Sequence, residues 1–178
     1  AGRPASLLDG LLVGLLVGAN LIMQGGSDAQ KEELLPKLAE GGLKLAFAYA
    51  ERQARFDLHD VETKAEKSGD GYIITGAKGV VFGAAAADKI IVAARTSGGS
   101  RDTNGVTLFL VDSGAAGVSR RDYTTNDALR ASEIEFAGVQ VNADAVIGNV
   151  DGGHAIIERV AEFAIAALCA EAVGCMDV

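Results

Sequence analysis

The sequence predicts an α+β fold in which a helical part, a β-rich domain of roughly 100 residues and a second helical part follow one another. The pattern is helical up to about residue 42, has the period of two typical of strands from Leu43 to about Gly148, and returns to a period of 3.6 from Gly152. We therefore expect three units, which are residues 1–42, 43–150 and 151–178.

The helical part contains the strongest apolar run of the chain, Leu7 to Met23. At about 17 residues, and with Asp9 and Asn20 inside it, the run favours a buried helix or helix pair over a membrane span. Ser27 then lies three residues before Gln30, which predicts a capped helix that ends at Gly41-Gly42. Pro36 predicts a kink or a new first turn within that helix.

The β domain is predicted from short apolar runs at regular spacing, which are typical of an antiparallel barrel or sandwich. The candidate strands are Lys44–Tyr49, Val61–Lys67, Tyr72–Thr75, Val80–Phe82, Lys89–Ala94, Val106–Val111, Val118–Arg121 and Ser132–Val141. Asp70-Gly71 is predicted to supply the positive φ angles of a tight hairpin turn.

The last helix has apolar residues around much of its circumference, so we expect it to pack deep in a helical bundle. Cys169 and Cys175 are six residues apart, which places them on opposite faces where they cannot form a disulfide. We expect both to be small buried residues of a protein in a reducing, cytoplasmic compartment. Ala1 is not a start methionine and Val178 falls within the helical pattern, so we expect a piece of a longer protein.

Composition and charge exclude some classes of function. The net charge is −8, and no cluster of Lys and Arg is larger than the pair Arg120-Arg121, so no nucleic-acid partner is expected. His154 and Glu158 are four residues apart on the last helix, but no third ligand accompanies them, and no metal site is predicted.

Several segments occur in an order that resembles the acyl-CoA dehydrogenase family. They are Ala50-Glu51 after a strand, the hairpin from Gly71 to Lys78, the Ala-Asp to Arg-Thr segment from Ala87 to Thr96, the Leu-Arg-x-Ser segment from Leu129 to Phe136, and the Val146-Ile147-Gly148 turn. The resemblance implies the end of a helical N-terminal domain, an antiparallel β-barrel middle domain and the start of a helical C-terminal domain.

The same resemblance implies an enzyme that oxidises a CoA thioester to the 2,3-enoyl-CoA, with FAD as electron acceptor. It implies an acyl-CoA substrate, electron-transferring flavoprotein as the downstream partner, and a homo- or hetero-oligomer. The family's catalytic base is a glutamate of the C-terminal helical domain that aligns beyond Val178. No catalytic residue is therefore assigned within this chain.

By resemblance, Phe47, Tyr49, Ala50, Val80 and Phe82 are the flavin-facing positions, and Arg55 and Phe56 are on the acyl-CoA side. The side chains depart from the family pattern. Ala50 replaces the threonine of Thr-Glu-Pro, and Val80-Val81-Phe82-Gly83 replaces Trp-Ile-Thr-Asn. An alternative function is thus a non-catalytic partner subunit of a mixed oligomer, which keeps the fold but has lost flavin contacts.

Overall fold

The structure is a computed structural model that describes residues 13–55 and 57–176. A π-helical segment, Val13–Gly18, leads into helix α1, Ala19–Gly25, and helix α2, Asp28–Ala39. A sheet domain follows, and helix α3, Gly153–Met176, ends the described chain. The predicted α+β order of a helical part, a β domain and a further helix is confirmed.

Helix α2 begins as its sequence predicts. The Ser27 hydroxyl accepts a hydrogen bond from the Gln30 backbone amide at 3.2 Å, and the Gln30 side chain accepts one from the Ser27 amide at 2.9 Å. The Gln30 side-chain amide also donates to the carbonyls of Asp144 and Val146. One residue thus caps the helix and ties it to the end of the sheet domain. The helix continues through Pro36 to Ala39.

Eight strands form the sheet domain. They are β1 Leu45–Ala48, β2 Lys64–Ser68, β3 Gly71–Phe82, β4 Lys89–Arg95, β5 Val106–Asp112, β6 Val118–Thr124, β7 Arg130–Asn142 and β8 Val146–Ile147. The two predicted strands Tyr72–Thr75 and Val80–Phe82 are parts of the single strand β3, because β3 stays paired with β7 through two register shifts.

The predicted closure into an antiparallel barrel is wrong for the residues that the structure describes. The strand order is β6-β7-β3-β2-β4-β5-β8, with β1 beside β4, and the two end strands do not pair. β8 is only two residues long before the chain leaves towards α3, so it cannot extend the sheet further. Two pairings, β1 with β4 and β2 with β4, are parallel, while the others are antiparallel.

The hairpin between β2 and β3 forms one residue earlier than predicted. Ser68 pairs with Gly71, so Gly69 and Asp70 are the two turn residues. Gly69 has a φ of +58°, and neither Asp70 nor Gly71 has a positive φ. Glycine at the first central position is typical of a type II′ hairpin turn.

The core lies on both faces of the central strand β4. Ile90, Val92 and Ala94 pack with Phe109 and Phe136 on one face. Ile91 and Ala93 face the other cluster, which includes the helical residues Leu21, Ile22, Leu34, Leu38, Ile157 and Val160. Two-sided burial explains why the sequence of β4 is continuously apolar rather than alternating.

Arg95, at the end of β4, is buried and donates only to backbone carbonyls. Its guanidinium donates to the carbonyls of Val61, His59, Ser100, Asp102 and Asn104 at 2.6 to 3.4 Å. The loop before β2 and the loop between β4 and β5 are thereby fixed to one side chain.

Helix α3 is buried only near its start, where Gly153, His154, Ile157 and Val160 pack on the sheet domain. Its later apolar residues, including Phe163, Ile165 and Leu168, are more than half exposed. Cys169 and Cys175 are free and exposed, so their predicted burial is wrong here, because none of the described residues covers this stretch of the helix.

The apolar run from Leu7 to Met23 is only partly within the described residues. No helix in the described part of the chain is long and apolar enough to cross a membrane. Leu21 and Ile22, from the end of the apolar run that begins at Leu7, are completely buried, whereas residues 7–12 lie outside the described residues.

Candidate functional site

The end of β1 is joined to the middle of β3 by two hydrogen bonds. The Lys78 ammonium donates to the Tyr49 carbonyl at 3.2 Å, and the Gly79 amide donates to the Ala50 carbonyl at 2.9 Å. Tyr49 and Ala50 therefore lie close to Val80, although Val80 is far from both in sequence.

A buried ion pair lies beneath this junction. Lys78 Nζ is 2.6 Å from Glu51 Oε1, and the two side chains are 0% and 4% exposed. Glu51 also accepts hydrogen bonds from the Gln53 side chain and from the backbone amides of Glu62 and Thr63. Glu51 is thus a fully hydrogen-bonded loop carboxylate. The role of Lys78 was missed from sequence, although the hairpin motif from Gly71 to Lys78 contains it.

Burial sets the protonation of this pair. Burial lowers the pKa of Lys78 from 10.5 to about 8, although the Glu51 charge acts to raise it. For Glu51, burial acts to raise the pKa, but the Lys78 charge and the hydrogen bonds from Lys78, Gln53 and Glu62 outweigh it and the pKa lies below 4.5. Both groups are therefore charged near pH 7.

An aromatic surface faces outward at the end of β1. The rings of Phe47 and Tyr49 stack with centroids 5.1 Å apart and an interplanar angle of 27°. Ala48 between them is completely buried, because alternate strand residues face opposite sides. Tyr49 is 39% exposed. Phe47 is half-buried and packs on the core, so Tyr49 is the more exposed ring of the pair.

Val80 lies next to this surface at a bulge in β3. The pairing with β7 shifts register between Lys78 and Val81, and Val80 has a φ of +52°. Val80 is 46% exposed, Val81 is buried and Phe82 is half-buried. Val80 and Phe82 are predicted to share one face of the strand. Their exposure, on either side of the buried Val81, agrees with that prediction.

The two residues predicted on the acyl-CoA side are less defined. Arg55 is exposed in the loop after Glu51, with a φ of +52°. The structure gives it no link to Tyr49 or Val80 comparable to the bonds above. Phe56 lies outside the described residues.

The arrangement suits a flat, conjugated ring better than an ion. Two stacked aromatic rings and the backbone around Ala50 and Val80 are the available contacts, and Ala50, Val80 and Gly83 offer no side-chain hydroxyl. No group of three or more His, Cys, Asp or Glu residues that would hold a metal ion occurs in the described part of the chain. Aromatic faces and backbone groups are therefore the contacts that this surface offers.

Comparison with known proteins identifies the fold and the family. The family model described as "Acyl-CoA dehydrogenase, middle domain" matches residues 46–139. A curated relative, 3-(aryl)acrylate reductase of Clostridium sporogenes, is 34% identical over 84% of this chain and 40% of its own length. Among solved structures, butyryl-CoA dehydrogenase of Megasphaera elsdenii has a TM-score of 0.80 and 31% identity, covering 88% of this chain and 42% of that one.

A solved complex is similar as well. The ChsE4-ChsE5 complex of Mycobacterium tuberculosis has a TM-score of 0.77 and 26% identity, covering 89% of this chain and 40% of that one. This chain thus spans about two fifths of the length of these relatives. Because the family model matches more than half of its residues, the chain belongs to the acyl-CoA dehydrogenase family.

Proposed function

We propose that this chain forms the flavin-binding middle part of an acyl-CoA dehydrogenase that oxidises a CoA thioester to the 2,3-enoyl-CoA. The observation that carries the proposal is the stacked Phe47–Tyr49 surface, held beside Val80 by the bonds from Lys78 and Gly79. Stacked aromatic rings are a suitable wall for a planar cofactor.

Bound FAD would accept the hydride that leaves the β carbon of the thioester, while a base removes the α proton. This chain's residues would hold the ring. Phe47, Tyr49 and Phe82 offer aromatic contact, and the backbone at Ala50 and Val80 offers polar contact. Glu51 is an unsuitable base, because Lys78 and three other donors occupy its carboxylate. The base is expected beyond these residues, and electron-transferring flavoprotein is the proposed downstream electron acceptor.

Arg55 and Phe56 are proposed for the acyl-CoA side. The guanidinium of Arg55 is exposed and free to meet a phosphate of CoA by charge-assisted hydrogen bonds. Replacing Arg55 by Gln should weaken acyl-CoA binding more than FAD binding. Replacing the exposed Lys67 of β2 by Gln is the control for loss of one positive charge.

A second candidate is a non-catalytic partner subunit. Ala50 and Phe82 lack the hydroxyls that the family pattern supplies, and this absence favours a chain that keeps the fold without binding flavin alone. The similar ChsE4-ChsE5 structure is a complex of two named proteins, which supports testing a mixed oligomer. In both candidates we expect a cytoplasmic homo- or hetero-oligomer, to be checked by cell fractionation and by light scattering of the purified assembly.

The deciding experiment is an absorbance spectrum of the full-length parent protein, purified alone and again after addition of FAD. A flavin band at one FAD per chain supports the enzyme. Replacing Tyr49 by Ala should then lower FAD retention, while replacing Tyr72, at the opposite end of β3, by Phe should not. A colourless protein that stays colourless with excess FAD would refute a self-sufficient enzyme and favour the partner subunit.

A further inference from the structure

The backbone at Val80 is strained, so something must hold it. A β-branched residue with positive φ is a genuine outlier, because its side chain crowds the following carbonyl. Such conformations are unfavourable and persist only where the surroundings impose them. The bonds on the β1 side reach Gly79 and Lys78, but they do not reach Val80 itself.

On the β7 side, Glu133 lies opposite the bulge, between the residues that pair with Lys78 and Val81. Tyr123, in β6, donates a hydrogen bond from its hydroxyl to Glu133 Oε1, in β7, at 3.2 Å. The other carboxylate oxygen of Glu133 is 3.4 Å from the position that a Cβ on Gly79 would occupy. The Arg121 guanidinium lies 5.8 Å from the centre of the Tyr123 ring. Glu133 therefore lies beside the bulge at Gly79, and the Tyr123 hydroxyl holds its carboxylate there.

The chemistry of the Tyr123 hydroxyl fits this position. Burial and the bonded Glu133 carboxylate raise the pKa of Tyr123, although the Arg121 charge and the Val80 backbone act to lower it. At neutral pH the phenol thus keeps its proton. It is therefore a hydrogen-bond donor to Glu133.

We propose that Tyr123 and Glu133 are positioning residues that hold Val80 in its left-handed conformation and so fix the backbone that faces the flavin. The role towards the flavin rests on the proposed function. The hold on the bulge rests only on the contacts between β3, β6 and β7.

Hydrogen–deuterium exchange of the full-length protein without FAD tests the hold on the bulge. Y123F should speed exchange of the segment 79–82 roughly tenfold, the upper range expected for loss of one hydrogen bond. The matched control is Y72F, which removes a hydroxyl from a ring that packs on Phe109 far from the bulge. E133Q keeps an acceptor oxygen and should behave as the wild type, whereas E133L should behave as Y123F. Equal exchange in Y123F and Y72F would overturn the proposal.

FAD titration of the same variants, followed by flavin fluorescence, tests the consequence for the cofactor. Y123F should weaken FAD binding roughly tenfold while Y72F and E133Q stay near the wild type. Unchanged affinity in Y123F would refute the positioning role. If the wild type binds no FAD, the proposed function itself fails, and the exchange data alone decide whether Tyr123 and Glu133 hold the bulge.

Discussion

At the scale of residues, the pair of Lys78 and Glu51 fixes the candidate site more than any exposed side chain does. Its atoms lie 2.6 Å apart with almost no exposure, and Lys78 also reaches the Tyr49 carbonyl. Removing one member of such a pair leaves an uncompensated charge inside the protein, which is far more costly than losing a surface pair.

Replacing Lys78 by Met should lower the free energy of unfolding by roughly 3–5 kcal/mol, since Glu51 would remain buried without its cation. The double variant K78M/E51Q should lose less than the sum of the two single variants. Urea unfolding of the four proteins measures this coupling.

The control for this cycle is K37M. Lys37 pairs with Glu33 on the surface, where the side chains are 54% and 65% exposed, so K37M should change stability by less than about 1 kcal/mol. Equal losses of unfolding free energy in K78M and K37M would show that the buried pair stabilises the fold no more than the surface pair does.

The pKa of Lys78 also predicts a pH dependence. In the folded protein this pKa is about 8, against 10.5 as the ordinary value, so between these pH values the unfolded chain binds more protons at this site. Stability conferred through Lys78 therefore rises with pH across this window. The stability difference between wild type and K78M should grow from pH 8 to pH 10.5, as measured by urea unfolding at fixed ionic strength. A constant difference would contradict the lowered pKa.

Sequence reasoning was strongest where the signal is local. The Ser27–Gln30 capping box and most strand positions follow from neighbouring residues and are confirmed. The partner of Glu51 was not predicted, because Lys78 is separated from it by a loop and two strands and only the fold brings them together. The left-handed Val80 was likewise unpredictable, since valine gives no local signal for it.

At the scale of elements, the β2–β3 hairpin shows how a turn residue is chosen by the pairing register. Asp70 has one glycine on each side, Gly69 and Gly71. The local pattern alone does not decide whether Gly69-Asp70 or Asp70-Gly71 forms the turn. Because Ser68 pairs with Gly71, the turn residues are Gly69 and Asp70. A close contact of Gly71 with the Val141 carbonyl explains why the second glycine is also needed, because a Cβ there would lie 2.2 Å from that oxygen.

Replacing Gly69 by Ala should cost about 1–2 kcal/mol, because its φ of +58° is unfavourable for alanine while nothing lies within 4 Å of the new Cβ. Gly114 is the matched control, since it also has open space around it but no positive φ. G114A should leave stability unchanged or slightly raised. Thermal unfolding of both variants measures the difference, and equal effects would mean that the hairpin tolerates a rearranged turn.

At the scale of the whole molecule, helix α3 leaves the sheet domain with an apolar surface that the described residues do not cover. Phe163, Ile165, Leu168, Val173 and Met176 are 53% to 76% exposed. The prediction of deep packing followed from the apolar pattern, which cannot say whether the covering helices belong to the same stretch of chain. Contiguous apolar surface of this kind favours association.

The chain of residues 1–178, expressed alone, should therefore self-associate. Size-exclusion chromatography with light scattering should give a mass that rises with concentration. Replacing Ile165 and Leu168 together by Glu should shift the mass towards the monomer, whereas E162Q, on an exposed position of the same helix, should not. A monomer for the wild type at all concentrations would show that this surface does not associate.

Arg95 has a consequence for how this fold tolerates sequence change. All five N–H groups of its guanidinium are used, and each acceptor is a main-chain oxygen. These five contacts fix the path of the two loops without using the side chains of the acceptor residues. The contacts to Arg95 therefore do not restrict those five side chains, whereas Arg95 itself cannot be exchanged even for lysine, which has only three donors for five oxygens.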